Sequence, residues 1–230
     1  MPKHIGIAAV SPEGSALCYR EIFRTASRLV GDSGHPRVTL HNEPFEQYLE
    51  AALKSDWHTV GALLRRSAEV LAAAGAEFCI TPDNLMQNAV HLAEHGSKIP
   101  WLSMTDVVAE AVAKDGRKAV GLIATRLVTL GSTYQTHLGI RGCQLFVPDE
   151  PDIASIDSII FRELVHGVVR AESRERLRAV LLNLGQRGCE GVVLGYTEAG
   201  LLLTEEAAPL PLYDSNALLA QAAVRMSLGV

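Results

Sequence analysis

Two stretches of this chain repeat one plan. Residues 75–84 read Gly75-Ala76-Glu77-Phe78-Cys79-Ile80-Thr81-Pro82-Asp83-Asn84, and residues 188–198 read Gly188-Cys189-Glu190-Gly191-Val192-Val193-Leu194-Gly195-Tyr196-Thr197-Glu198. Each follows an Ala- and Leu-rich helical stretch, runs through a short apolar strand and stops at a polar tip. A strand fed by a helix belongs to a parallel sheet, because a parallel crossover needs a dozen or more residues. The same unit met twice predicts two halves of like construction.

The flanking sequence fits that plan. Residues 4–10 form a first apolar run, residues 13–29 a helix with Ser11 or Ser15 near its start, and residues 37–41 a second strand. Residues 58–73 carry Val60, Leu63, Leu64, Ala68, Leu71 and Ala72 at helical spacing, and Gly75 ends that helix. Residues 78–81 are a third strand, residues 84–94 a helix and residues 101–104 a fourth strand. The order then restarts. Residues 119–124, 143–147, 191–195 and 211–214 match strands one to four, with a helix over 174–184 and a closing helix over 217–228. The expected fold is α/β: two similar parallel-sheet αβα halves related by pseudo-two-fold symmetry, with a cleft between them. The expected divisions are residues 1–104, residues 105–211, and residues 212–230 as a closing strand and helix that pack back on the N-terminal half. Open parallel sheets bind ligands beyond the carboxyl ends of their strands. Ser11, Asp83, Asn84, Thr125, Arg126, Tyr196, Thr197 and Glu198 stand at those ends and are expected to line the cleft.

Composition narrows the partners. The 230 residues carry a formal net charge of −5 and no basic run, which disfavours nucleic acid. No apolar stretch is long enough for a membrane span, and the N-terminal residues lack the apolar core of a signal peptide, so a cytoplasmic location is expected. Cys18, Cys79, Cys143 and Cys189 form no C-x-x-C pair and read as reduced thiols. His91 and His95 lie one helical turn apart without the order of an H-E-x-x-H motif or an evident third ligand, so no metal is expected. No P-loop, dinucleotide fingerprint or G-x-S-x-G elbow is present.

Four segments taken in order carry a family resemblance. Gly6-Ile7-Ala8-Ala9-Val10-Ser11-Pro12-Glu13 resembles a Gly-Gly-Met-Ser-Trp-Glu stretch, Thr125-Arg126 a Gly-Thr-Arg turn, Gly195-Tyr196-Thr197-Glu198-Ala199-Gly200-Leu201-Leu202 a Gly-Cys-Thr-Glu-Ile-Gly-Leu-Leu run, and Pro211-Leu212-Tyr213-Asp214-Ser215 a Pro-Leu-Phe-Asp-Thr run. The chain thus resembles the aspartate/glutamate racemase superfamily over nearly its whole length. The resemblance implies an enzyme that needs no cofactor, binds a small carboxylate or amino acid, and pairs as a homodimer. It also implies a thiol on each side of the substrate, since inversion needs two opposed acid/base groups. Here Pro82 stands in the first cysteine's place and Tyr196 in the second's. Gln87 lies where a His often follows the first cysteine, and Leu219 where a His lies near the C-terminus.

Each remaining polar residue has two readings. Asp83 is a base candidate if burial raises its pKa from near 4, and otherwise a helix N-cap. Tyr196, with an ordinary pKa of about 10, can donate a proton or hydrogen-bond an oxyanion, or its ring can fill the space of a lost site. Ser11, Asn84, Thr125 and Thr197 are substrate-binding candidates or turn and cap formers. Arg126 can grip a carboxylate bidentately or sit in a surface ion pair. Glu198 can accept a substrate amine or support its loop. Three functions follow: a cysteine-independent isomerase or lyase with Asp83 and Tyr196 as proton carriers, a non-catalytic carboxylate-binding protein, and a racemase that uses a displaced thiol such as Cys79.

Overall fold

The computed structural model describes residues 2–31, 34–203 and 208–230. The chain divides into two compact units, Met1–Val107 with Asn216–Val230, and Val108–Ser215.

The first unit opens with strand β1 (Ile5–Ala9), every residue of which is buried. Helix α1 (Pro12–Val30) follows, its first turn capped by the Ser11 hydroxyl, which accepts from the Gly14 N–H at 3.1 Å, with proline at the first helical position. Strand β2 (Val38–Asn42), helices α2 (Phe45–Leu53) and α3 (Trp57–Ala73), and strand β3 (Phe78–Ile80) complete the repeated plan. Gly75 has φ +92° and Gly188 φ +97°, the left-handed backbone that stops each helix ahead of its strand. The sheet order is β2-β1-β3, all parallel, with Ile7 level with Leu40 on one side and Ile80 on the other. Leu64, Ala68 and Leu71 of α3 enter one apolar cluster with Ala8, Val10 and Cys79, so α3 covers the sheet with the face its spacing predicted.

Beyond β3 the chain makes a 3-10 turn (Met86–Ala89) and a short helix α4 (Val90–Glu94) rather than one helix over 84–94. Side chains compete with the backbone ladder here: Asp83 accepts from two N–H groups, and Asn88 Nδ2 donates to the Leu85 carbonyl at 2.8 Å. The expected fourth strand over 101–104 shrinks to a single bridge between Trp101 and Cys79. Pro100 has no N–H to give, and the Ser103 hydroxyl accepts from the Asp106 N–H at 3.3 Å, which starts helix α5 (Met104–Lys114) at once.

The second unit contains strand β4 (Ala119–Ala124), helices α6 (Arg126–Thr129) and α7 (Thr133–Ile140), strand β5 (Gln144–Phe146), helices α8 (Glu150–Arg162) and α9 (Ala171–Gln186), and strands β6 (Val192–Gly195) and β7 (Leu212–Asp214). Its order, β5-β4-β6-β7, repeats that of the first sheet with one more full strand, and all pairings are parallel. β4 and β6 are almost wholly buried apolar runs, as strands covered on both faces must be. The closing strand was expected with the N-terminal half. It pairs instead with β6, Val192 level with Leu212, because Leu212 and Tyr213 complete the apolar edge that β6 offers. Only helix α10 (Ser215–Leu228) returns to the first unit, where the Ser227 carbonyl accepts from the Lys3 N–H at 2.8 Å. Among the described residues no helix is long and apolar enough to cross a membrane.

Candidate active site

In the first unit the register fixes what meets at the strand ends. Ile7 of β1 lies level with Ile80 of β3, so the segments after them, ending in Ser11 and in Thr81–Asn84, leave the sheet side by side. Ser11 is occupied as the α1 cap. Pro82 and Asn84 are buried and Asp83 is part-buried. Asp83 Oδ1 accepts from the Leu85 N–H at 3.0 Å and the Met86 N–H at 3.2 Å, while Oδ2 carries no hydrogen bond among the described residues. Burial pushes the Asp83 carboxyl above the usual carboxylate range, and the two N–H donors only partly oppose it. The capping geometry and a raised pKa therefore coexist on one side chain.

In the second unit Ala124 of β4 lies level with Gly195 of β6, which places Thr125 and Tyr196 at neighbouring strand ends. Leu194 lies level with Asp214 of β7, which brings that carboxylate to the same end. The Tyr196 side chain is 3% exposed, and its hydroxyl has no hydrogen-bond partner among the described residues. Burial drives its pKa well above the ordinary value, and the nearby Asp214 and Glu198 carboxylates add to the rise. The phenol keeps its proton throughout the neutral range. Glu198 is buried and Thr197 half-buried. Arg126 is turned to other partners: its backbone N–H donates to Asp157 Oδ1 at 2.9 Å, and its guanidinium holds both oxygens of the Glu150 carboxylate at the start of α8.

The thiols are placed for packing. All four cysteines are buried, and none is in a disulfide. Cys79 is 0% exposed within β3, and burial alone pushes its thiol up to about 12. Among the described residues no three His, Cys, Asp or Glu side chains are grouped to hold a metal ion. Two residues near the tips escaped the sequence reading of the site. Asp214 ends an apolar run as the other tips do, and that was the available signal. Gln87 was marked only as a place where the resembled family often has a His, and its bonding gave no signal, because all its partners are backbone atoms: its Nε2 donates to the carbonyls of Thr81 at 3.0 Å and Asp83 at 3.1 Å, and its Oε1 accepts from the Met104 N–H at 3.0 Å.

The profile of the Asp/Glu/Hydantoin racemase family matches residues 7–223. The chain belongs to that family. Among solved members and relatives, a Yersinia pestis protein provisionally assigned as an Asp/Glu racemase is 28% identical, with a TM-score of 0.90 over 98% of this chain and 99% of its own. An aspartate racemase homologue from Pyrococcus horikoshii OT3 has a TM-score of 0.89 at 23% identity, covering 99% of this chain and 100% of that one. A glutamate racemase from Francisella tularensis, solved with D-glutamate, shares the fold at 13% identity and a TM-score of 0.73, covering 99% of this chain and 82% of that one. A curated protein from Pectobacterium carotovorum without an assigned function is 29% identical over 110 residues, 48% of this chain and 72% of its own. The racemase family therefore supplies the fold.

Proposed function

We propose that this family member is an isomerase or lyase that acts on a small carboxylate or amino acid without a cofactor and without thiol chemistry. The observation that supports the reading is that each unit carries an oxygen acid at its own strand tips. Asp83 has a carboxyl made more basic by burial, and Tyr196 is a buried phenol with an unused hydroxyl. Asp83, ionised, takes the proton from the carbon next to the substrate carboxylate, and an enolate-like intermediate forms. Tyr196 donates a proton as that charge collapses, and its raised pKa keeps it in the donor form. Asn84, Thr125 and Thr197 are assigned to the substrate's polar groups, with Ser11 and Glu198 supporting the tips. The homodimer implied by the resemblance and the cytoplasmic location expected from the sequence belong to the same proposal.

The test is proton NMR of candidate mono- and dicarboxylic acids and amino acids in deuterated water, after a thermal-shift screen. Solvent deuterium at the α-carbon is expected with the wild-type protein. Asp83→Asn and Tyr196→Phe should each slow that exchange by about 100-fold or more, and Cys79→Ala should leave it unchanged. Loss of exchange in Cys79→Ala alone would transfer the chemistry to the thiol. The rate should rise with pH as Asp83 ionises, at a midpoint above the ordinary carboxylate range, and then stay level while Tyr196 remains protonated.

A specific observation favours a second reading, a non-catalytic carboxylate-binding protein. Asp83 Oδ1 is already engaged by two backbone donors and the Tyr196 ring is 3% exposed, so both tips serve packing as they stand. A ligand that raises Tm but acquires no deuterium would select this reading.

A further inference from the structure

We propose that Gln87 is a positioning residue whose carboxamide clamps the tip of β3 to the start of α5 and so fixes the direction in which Asp83 presents its carboxyl. The proposal rests on the assignment of Asp83 made above. Gln87 is 6% exposed, and its side chain spends both amide hydrogens and one lone pair of its amide oxygen on three backbone points. One amide hydrogen meets the Thr81 carbonyl, the last residue before the tip. The other meets the carbonyl of Asp83 itself. The amide oxygen takes the Met104 N–H, one of the first-turn donors that a helix leaves without a partner.

The consequence for Asp83 is geometric. Its main chain is held from behind by Gln87 while its Oδ1 is held in front by the Leu85 and Met86 N–H groups. Both restraints lie within residues 81–87, and Gln87 extends them to residue 104, beyond the Trp101 bridge. With both restraints in place, Oδ2 is the carboxyl oxygen left without a hydrogen-bond partner among the described residues. Leucine at position 87 would have similar bulk and none of these bonds, leaving two carbonyls and one N–H without partners. Glutamate would keep the acceptor for Met104 and, when ionised, lose both donors.

The test uses the full chain without substrate. In Gln87→Leu, amide hydrogen exchange at Leu85 and Met86 should quicken at least tenfold more than at Ile7 of β1, and the carbon-13 titration of the Asp83 carboxyl should move down towards the ordinary carboxylate range. A residue that only adds stability would quicken all three amides alike and leave that titration in place, and either result overturns the proposal. Should Gln87→Leu fail to fold, Gln87→Glu decides: the Met104 amide should stay as protected as in the wild type while Leu85 and Met86 exchange faster. Unchanged exchange at Leu85 and Met86 in Gln87→Glu would overturn the clamp. None of these readouts needs turnover, so the clamp and the proposed reaction stand or fall separately.

Discussion

Tyr196 and Asp83 show what a buried polar group costs a fold. A buried hydroxyl without a partner forfeits its bonds to water, a penalty of about 1–3 kcal/mol. Tyr196→Phe should therefore stabilise the protein by about 1–2 kcal/mol in urea unfolding, even as it removes the proposed proton donor. Asp83 gives a pH-dependent counterpart. Its folded pKa lies above its unfolded one, so the folded state binds the proton more readily, and stability declines as pH rises between the two values. Asp83→Asn keeps an N-capping side chain and cannot ionise. Its Tm should exceed that of the wild type at pH 7, and the difference should vanish below about pH 4, where Asp83 is protonated in both states. The tips were legible in the sequence because an apolar run that stops at a polar residue marks a strand end. The clamp at Gln87 was not, because a side chain that bonds only to main-chain atoms leaves no complementary residue to find.

Among the elements, α3 was the easiest to read and its neighbours the hardest. Its spacing gave the buried face, and Gly75 gave the stop. Its contact with α4 was hidden. A Cβ at Gly61 would lie 2.7 Å from Leu92 Cβ and 3.4 Å from the Leu92 backbone carbon, so α4 rests directly on the α3 backbone. Gly61→Ala should cost about 1–3 kcal/mol through overpacking, against a gain of about 1 kcal/mol in helix propensity, and chemical denaturation will show the net loss. Helix α2 was passed over because Pro44 precedes it without any side-chain cap, while Phe45, Leu49 and Leu53 face outward and blur its apolar pattern. The fourth strand was overread for the opposite reason. Residues 101–104 are apolar enough for a strand, but Ser103 is a helix cap.

For the whole molecule, the repeat in the sequence became two sheets with matching strand order, β2-β1-β3 and β5-β4-β6-β7. That correspondence was legible because each half repeats the same alternation of helix and strand. The route of the C-terminal segment was not, since β7 and α10 adjoin in sequence yet belong to different units. Truncation after Ser215 should strip Leu219, Ala220, Ala223 and Val224, all 0% exposed, from the fold. Hydrogen exchange should then quicken in β1 and β3 while β4 and β6 keep their protection. The returning helix also orders the events of synthesis. Residues 216–230 leave the ribosome only after the entire 108–215 unit has been made. The unit begun first is thus finished last, and its nascent apolar surface must wait, uncovered, through the translation of its sibling.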